Sequence, residues 1–251
     1  MGRIDADALN SVDAVVHLAG EPIAQRWTRG AKRRIRESRV RGTELLASTL
    51  ASLERPPRVL VSGSAMGIYG NRGDEALDES SASGNDFLAA TAVAWEAAAE
   101  AARQVGVRVV MVRTGLVLSP RGGALAKLLP AFRLGLGGRV GSGRQWVSWI
   151  GLTDTVSAIR HAIETDSLTG PVNLSAPEPV TNAELAKTLA KVLRRPAILP
   201  VPAFAMRLAF GEMGEATLLA SQRMRPRRLL DSGYQFRYPT LEAALRHELR
   251  R

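Results

Sequence analysis

RVLVSGSAMGIYG, Arg58 to Gly70, starts as an apolar strand and runs without a break into a turn rich in serine and glycine. The LVS that follows Val59 shows no alternation of apolar and polar residues. That is the pattern of a strand covered on both faces, as in a parallel sheet flanked by helices. The carboxyl end of this strand carries Ser62, Ser64, Gly63, Gly67, Gly70 and Tyr69. In open α/β sheets, ligands sit in the crevice outside such ends. An ordinary polar strand-to-helix turn would use the same residue types, so this segment alone fits a turn and a site equally.

Apolar strand patterns alternate with helical ones along the chain. DAVVHLAG (Asp13 to Gly20) reads as a strand and turn, and Gly30 to Leu53 as an amphipathic helix turning Ile35, Val40, Leu45, Leu46 and Leu50 to a core. Pro56 and Pro57 stop that helix. Asp86 to Gln104 is expected to be helical, ended by Gly106, and Val107 to Leu118 a third buried strand. Three such βα units imply a parallel, doubly wound sheet. The glycine-rich residues 119–146 read as a long covering loop. WVSWI reads as a strand leading to Thr153 and Asp154, which can cap a helix through His161. Thr181 and Glu184 form a capping box for a helix to Leu193, and YQFRYP resembles a final strand.

Composition narrows the classes. The 251 residues suffice for one large α/β domain or a core with a smaller lobe, and no cysteine is present, which removes disulfides, thiolate nucleophiles and cysteine-ligated metals. MGRIDADALN lacks the apolar stretch of a signal peptide, and apolar runs such as VRVVMVRTGLVL are short and carry arginine, so a soluble, cytoplasmic protein with no membrane partner is expected. The excess of 34 Lys+Arg over 24 Asp+Glu is spread along the chain, with local clusters only at Arg29 to Arg41 and Arg223 to Arg228 and no interleaved aromatics. Solvated helix faces explain it more simply than nucleic acid, although a basic surface also suits an anionic small ligand.

The ordered set DAVVHLAGEPI, SRVRGTELL, VSGSAMGIYG, DFLA with WEAAA, RTGLVLSPRGGAL and GLGGRVGSGRQWVSWI resembles the NAD(P)-dependent sugar-nucleotide epimerase-like branch of the extended short-chain dehydrogenases. PVPAFAMRLAFGEMGEATLLASQR with GYQF resembles that family's C-terminal domain of unknown function. The resemblance implies a Rossmann-like doubly wound parallel sheet over residues 1–170 and a smaller C-terminal α+β substrate lobe over 171–251. It implies NADP or NAD as cofactor, a small polar molecule such as a nucleotide sugar as substrate, and room for a homodimer.

Two expected features are absent from the sequence. The family opens with a glycine-rich turn whose amides hold the cofactor pyrophosphate. Here the chain opens twelve residues before the strand at Asp13, in what resembles the loop ahead of the fourth strand. A misassigned start codon or a fragment is the simplest reading, with an N-terminally incomplete sheet, an unpaired apolar edge and impaired cofactor binding as the expected consequences. The Tyr-x-x-x-Lys pair is also missing, since Tyr69, Tyr234 and Tyr238 are followed four residues on by Gly73, Tyr238 and Glu242. At about the positions of the pair stand Ala92 and Glu96.

Ser64 resembles the catalytic serine of the class, with Ser62 as second choice, and without a tyrosine partner Ser64 could still hydrogen-bond a substrate hydroxyl. Leu18, Ala19 and Gly20 resemble the adenosine-side wall, though a tight turn also wants small residues. Arg39 could reach a phosphate or ribose, or be a solvated helix arginine. Ser62, Val117 and Leu118 complete the cofactor set, and packing alone would keep the last two apolar. Glu21, Trp27, Gln145, Trp146 and Trp149 lie in loops the family places over its substrate, with core anchoring as the plainer role of each tryptophan. His17, His161 and His247 have no metal-ligand spacing, and no metal site is expected. The function so implied is an NAD(P)-binding epimerase or oxidoreductase; the missing Tyr-x-x-x-Lys pair motivates the alternative of a catalytically degenerate binding or regulatory protein.

Overall fold

The computed structural model describes residues 4–250; Met1–Arg3, at the start of the polar N-terminus, and Arg251 lie outside the described residues. In chain order the first half runs β1 (Ala14–His17), α1 (Arg29–Ala51), β2 (Val59–Ala65), β3 (Ala76–Leu77), α2 (Phe87–Ala97), α3 (Glu100–Gln104), β4 (Arg108–Thr114), β5 (Leu116–Leu118) and α4 (Gly123–Arg133). The second half runs β6 (Trp146–Val147), β7 (Trp149–Gly151), α5 (Leu152–Glu164), β8 (Gly170–Leu174), β9 (Val180–Thr181), α6 (Asn182–Leu193), α7 (Ala203–Phe210), α8 (Glu212–Thr217), β10 (Arg223–Met224), α9 (Arg227–Asp231) and α10 (Leu241–Glu248).

The central sheet is parallel, in the order β1, β2, β4, β8. Its register sets Ala14 beside Val59, Val61 beside Val110, and Val112 beside Val172. Strand periodicity sends alternate residues to opposite faces, and both faces here are apolar. Val59, Val61, Val110 and Val112 pack against Ala158 and Ala162 of α5 and Leu229 of α9. Leu60, Val109 and Met111 pack on the other side against Leu46 and Leu50 of α1, Ala99 just ahead of α3 and Ala102 within it. This is why the run after Val59 lacks alternation. β1 pairs only with β2 among the described residues, and Val16 and Leu18 are exposed at that edge.

Several sequence expectations change in detail. The strand expected over Val107 to Leu118 breaks at Gly115, where a Cβ would lie 2.8 Å from the Ser148 carbonyl oxygen. The chain leaves the main sheet there, and β5 pairs with β7. The helix expected over Asp86 to Gln104 is interrupted at Ala98 and Ala99, with Asp86 capping α2 through the Ala89 amide at 2.8 Å. Residues 119–146 are not a bare loop. Leu125, Leu129 and Phe132, spaced i, i+4, i+7, bury one side of α4 against α6 and α10 in a separate apolar cluster.

Asp154 is not a cap, because Gly151 holds that position. Buried, it accepts the Arg237 and Tyr238 amides at 2.8 and 3.0 Å, which keeps YQFRYP an irregular segment instead of a strand. Val40 and Leu45 are only half-buried on α1. The Thr181–Glu184 capping box is present. No described helix is long and apolar enough to cross a membrane.

Candidate functional site

The carboxyl end of β2 delivers Ser64 into a buried polar chain. Its hydroxyl donates to Glu96 Oε1 at 2.6 Å, and the residue is 4% exposed. Arg113, from β4, clamps the same carboxylate with Nε to Oε1 at 2.8 Å and Nη2 to Oε2 at 3.0 Å. The two side chains of that pair are 10% and 12% exposed. Parallel register places Ser64 directly beside Arg113, so the sheet itself aligns the hydroxyl with the guanidinium that fixes Glu96.

The chain continues inward. Arg113 Nη1 donates to Tyr69 Oη at 3.0 Å and to the Glu79 carbonyl at 3.2 Å, and Tyr69 Oη donates to Asn173 Oδ1 at 2.6 Å. Glu79 Oε1 accepts the Asn173 and Arg228 amides at 2.9 and 3.2 Å, while its Oε2 has no partner among the described residues. Burial works against the charge of Arg113, but its bonds to Glu96 and the nearby tyrosine outweigh that and raise its pKa above the ordinary arginine value. Burial raises the Tyr69 phenol despite Arg113 and Asn173. Burial likewise raises the Glu79 carboxyl despite its backbone donors. Tyr69 is fully enclosed, so it braces the site and does not reach a ligand.

The expected cofactor wall is laid out along the sheet edge. Leu18, Ala19 and Gly20 follow β1 and are exposed, and register puts His17 beside Ser62. Ser62 is buried at this strand end, its hydroxyl without a partner among the described residues. An exposed run of small and apolar residues beside an unsatisfied hydroxyl suits one flank of a dinucleotide. No glycine-rich strand-turn-helix unit stands between residues 4 and 250 to hold its pyrophosphate. Arg39 donates Nη1 to the carbonyls of Glu21 (2.9 Å) and Ile35 (3.0 Å) and stacks over Trp95, so it secures the loop after β1. Val117 packs partly against the main-sheet core, and Leu118 is buried in the C-terminal cluster.

The expected substrate residues divide. Trp27 meets Phe87 edge-on at 5.1 Å between centroids, and Lys32 Nζ lies 5.0 Å from the Phe87 ring. Lys32 also reaches Glu212 of α8 at 2.6 Å, joining α1 to the C-terminal helices. Glu21 accepts Gln25 at 3.1 Å and is half-buried. Gln145 gives its amide to the Val140 and Leu218 carbonyls, and Trp149 is fully buried with its indole on the Glu178 carbonyl at 3.0 Å. Both are packing residues here.

The sequence reading passed over Arg113, Asn173, Glu79 and Arg223. A charge inside the apolar run VVMVRT, and an asparagine inside VNLSA, were the available signals, because buried polar groups need partners. Arg223 lies 4.4 Å over the Trp146 ring centroid, and its buried Nε has no partner among the described residues. Trp146 donates its indole to Asp74 at 2.9 Å. No His/Cys/Asp/Glu group suited to a metal occurs among the described residues.

Comparison with known proteins places these features in context. Residues 5–174 match the NAD dependent epimerase/dehydratase family, and residues 201–248 match a domain of unknown function (DUF1731). The epimerase family protein Mb2239 of Mycobacterium bovis is 46% identical over 245 residues, covering 97% of this chain and 81% of the relative. The human epimerase family protein SDR39U1 is 38% identical over 248 residues, covering 97% of this chain and 84% of the relative. A crystal structure of human SDR39U1 (isoform 2) with NADPH superposes with a TM-score of 0.92 at 36% identity, covering 99% of this chain and 87% of that one. A Corynebacterium glutamicum structure described as a nucleoside-diphosphate sugar epimerase gives 0.79 at 39% identity, covering 98% of this chain and 48% of that one.

Proposed function

This chain belongs to the NAD-dependent epimerase/dehydratase family, and from that premise we propose that it binds NADP(H) or NAD(H) across the ends of β1 and β2 and carries out redox chemistry or epimerisation on a small polar, nucleotide-linked substrate. The observation that carries this reading is the Ser64–Glu96 hydrogen bond of 2.6 Å at the end of β2. The cofactor, when bound, supplies reversible hydride transfer. Leu18, Ala19 and Gly20 would line its adenosine side, and Ser62 and Val117 the part nearer the substrate.

Ser64 commits its proton to Glu96, which leaves its lone pairs to accept from a substrate hydroxyl. Arg113 holds Glu96 by two bonds, so the acceptor direction of Ser64 is fixed before substrate arrives. Arg223, stacked on Trp146, offers a guanidinium for an anionic group such as a phosphate. Glu21 and Trp27 would take the polar remainder. Nucleoside-diphosphate sugars, the class in the description of the Corynebacterium structure, would offer both a phosphate for Arg223 and a hydroxyl for Ser64.

The test is a thermal melt with NADPH, NADH or neither, followed by cofactor absorbance against a panel of nucleotide sugars and simple carbonyl compounds. Ligand at a hundred times its dissociation constant should add about 2.7 kcal/mol of stability. Stabilisation by neither nucleotide refutes the cofactor assignment. Stabilisation without turnover of any panel member favours a binding protein that has kept the fold.

A further inference from the structure

One end of the C-terminal part exposes apolar side chains that neither the proposed cofactor wall nor the Ser64 network uses. Leu134 and Leu136 follow α4, and the strip they begin runs against residues 197–201 through bridges from Leu136 to Ala197 and from Val140 to Val201. Ile198 and Leu199 are exposed in the facing strip. That strip leads through Pro202 into α7, which buries none of its eight residues. Phe204 and Leu208, one turn apart on α7, are 70% and 83% exposed. Scattered apolar residues on a surface are ordinary, but a contiguous group of this kind marks an interaction face.

The charge beside this face is mostly positive, the acids near it being Glu212 and Glu215 of α8, which pair with Lys32 and Arg207. No aspartate or glutamate occurs from Ser119 to Thr153 or from Leu185 to Gly211, whereas each stretch holds five lysines or arginines. Arg133, Arg194 and Arg195 are exposed beside the apolar strips, and Arg195 gives its Nε to the Arg133 carbonyl at 3.0 Å instead of to an acid. A two-fold contact with a second copy would set these arginines against their own kind, since an isologous interface pairs a patch with itself. Exposed aromatic and aliphatic groups flanked by Arg133, Arg194 and Arg195, which carry no acid partner among the described residues, suit a surface that is apolar within and negative at its boundary.

We propose that this face docks peripherally on an anionic lipid surface, with Phe204, Leu208, Ile198 and Leu134 entering the headgroup boundary and the arginines contacting lipid phosphates. Nothing spans the bilayer in this arrangement. It departs from the sequence expectation of no membrane partner, which rested on the absence of a spanning segment.

The experiment is co-sedimentation of the whole protein with vesicles of phosphatidylcholine alone and of phosphatidylcholine mixed three to one with phosphatidylglycerol, at low and high salt. Sedimentation is expected with the mixed vesicles only, weakening as salt rises. The Phe204→Ser/Leu208→Ser double variant should partition at least tenfold more weakly, and Arg194→Gln and Arg195→Gln roughly fivefold each. The exposed positions leave the fold untouched, which an unchanged thermal melt of each variant verifies. A Phe204→Trp variant should keep binding and shift its emission to the blue on mixed vesicles. Failure to sediment with either vesicle, or binding that the double variant retains in full, overturns the proposal. So does a dimer seen by light scattering that the double variant abolishes, because the face would then be covered by a second copy.

Discussion

Glu96 Oε1 accepts both the Ser64 hydroxyl at 2.6 Å and the Arg113 Nε at 2.8 Å, so one carboxylate oxygen ties the end of β2 to β4 through α2. Removing either charge of the pair strands the other in a site that is nearly closed to water. Glu96→Ala and Arg113→Ala should each cost about 3 kcal/mol in urea unfolding, and the double variant less than the sum of the two. Additive losses would mean that the pair is not coupled.

Ser64→Ala separates chemistry from folding. The hydroxyl contributes about 2 kcal/mol through its bond to the carboxylate, so the fold should survive with a lower melting temperature. NADPH affinity should stay within about twofold, whereas kcat for any compound the protein turns over should fall by about a hundredfold or more. An unchanged kcat would remove Ser64 from the reaction.

Gly63 has a role that a sequence cannot display. A Cβ at this position would lie 2.6 Å from the Trp95 ring, whose indole donates to Thr43 at 2.9 Å beneath the strand end. Gly63→Ala should therefore cost about 1 to 3 kcal/mol and shift the intrinsic fluorescence as Trp95 is displaced. A neutral substitution would show that Trp95 moves freely.

The buried strand at Val59 was legible because burial on both faces leaves a run without alternation, and Val59, Leu60 and Val61 do divide between two cores. Helix signals held where local chemistry decides, as in the Thr181–Glu184 box. They failed where tertiary contacts decide, at the Gly115 break forced by the Ser148 carbonyl and at Asp154, whose partners lie more than eighty residues away. Ser64 and Glu96 were both visible as positions in the chain. Their bond was not, since α2 and β2 meet only in the folded sheet, and the guanidinium that fixes them comes from a third segment. Trp149 and Gln145 show the converse, as polar or aromatic loop residues that the fold spends on packing.

Glu79 gives the site a dependence on pH whose direction follows from burial. Its folded carboxyl titrates above the ordinary value of 4.5, so between that value and its folded pKa the native state binds more protons than the unfolded chain. Stability from this group is complete below the ordinary pKa and declines as pH rises through the folded one. Glu79→Gln keeps an oxygen for the Asn173 and Arg228 amides and carries no charge to bury. Its melting temperature should therefore gain on the parent as pH rises from 4.5 toward neutrality, once each profile is referred to its own acid limit. A gap that widens toward acid instead would mean that the Glu79 carboxylate is favoured by its backbone donors more than it is penalised by burial.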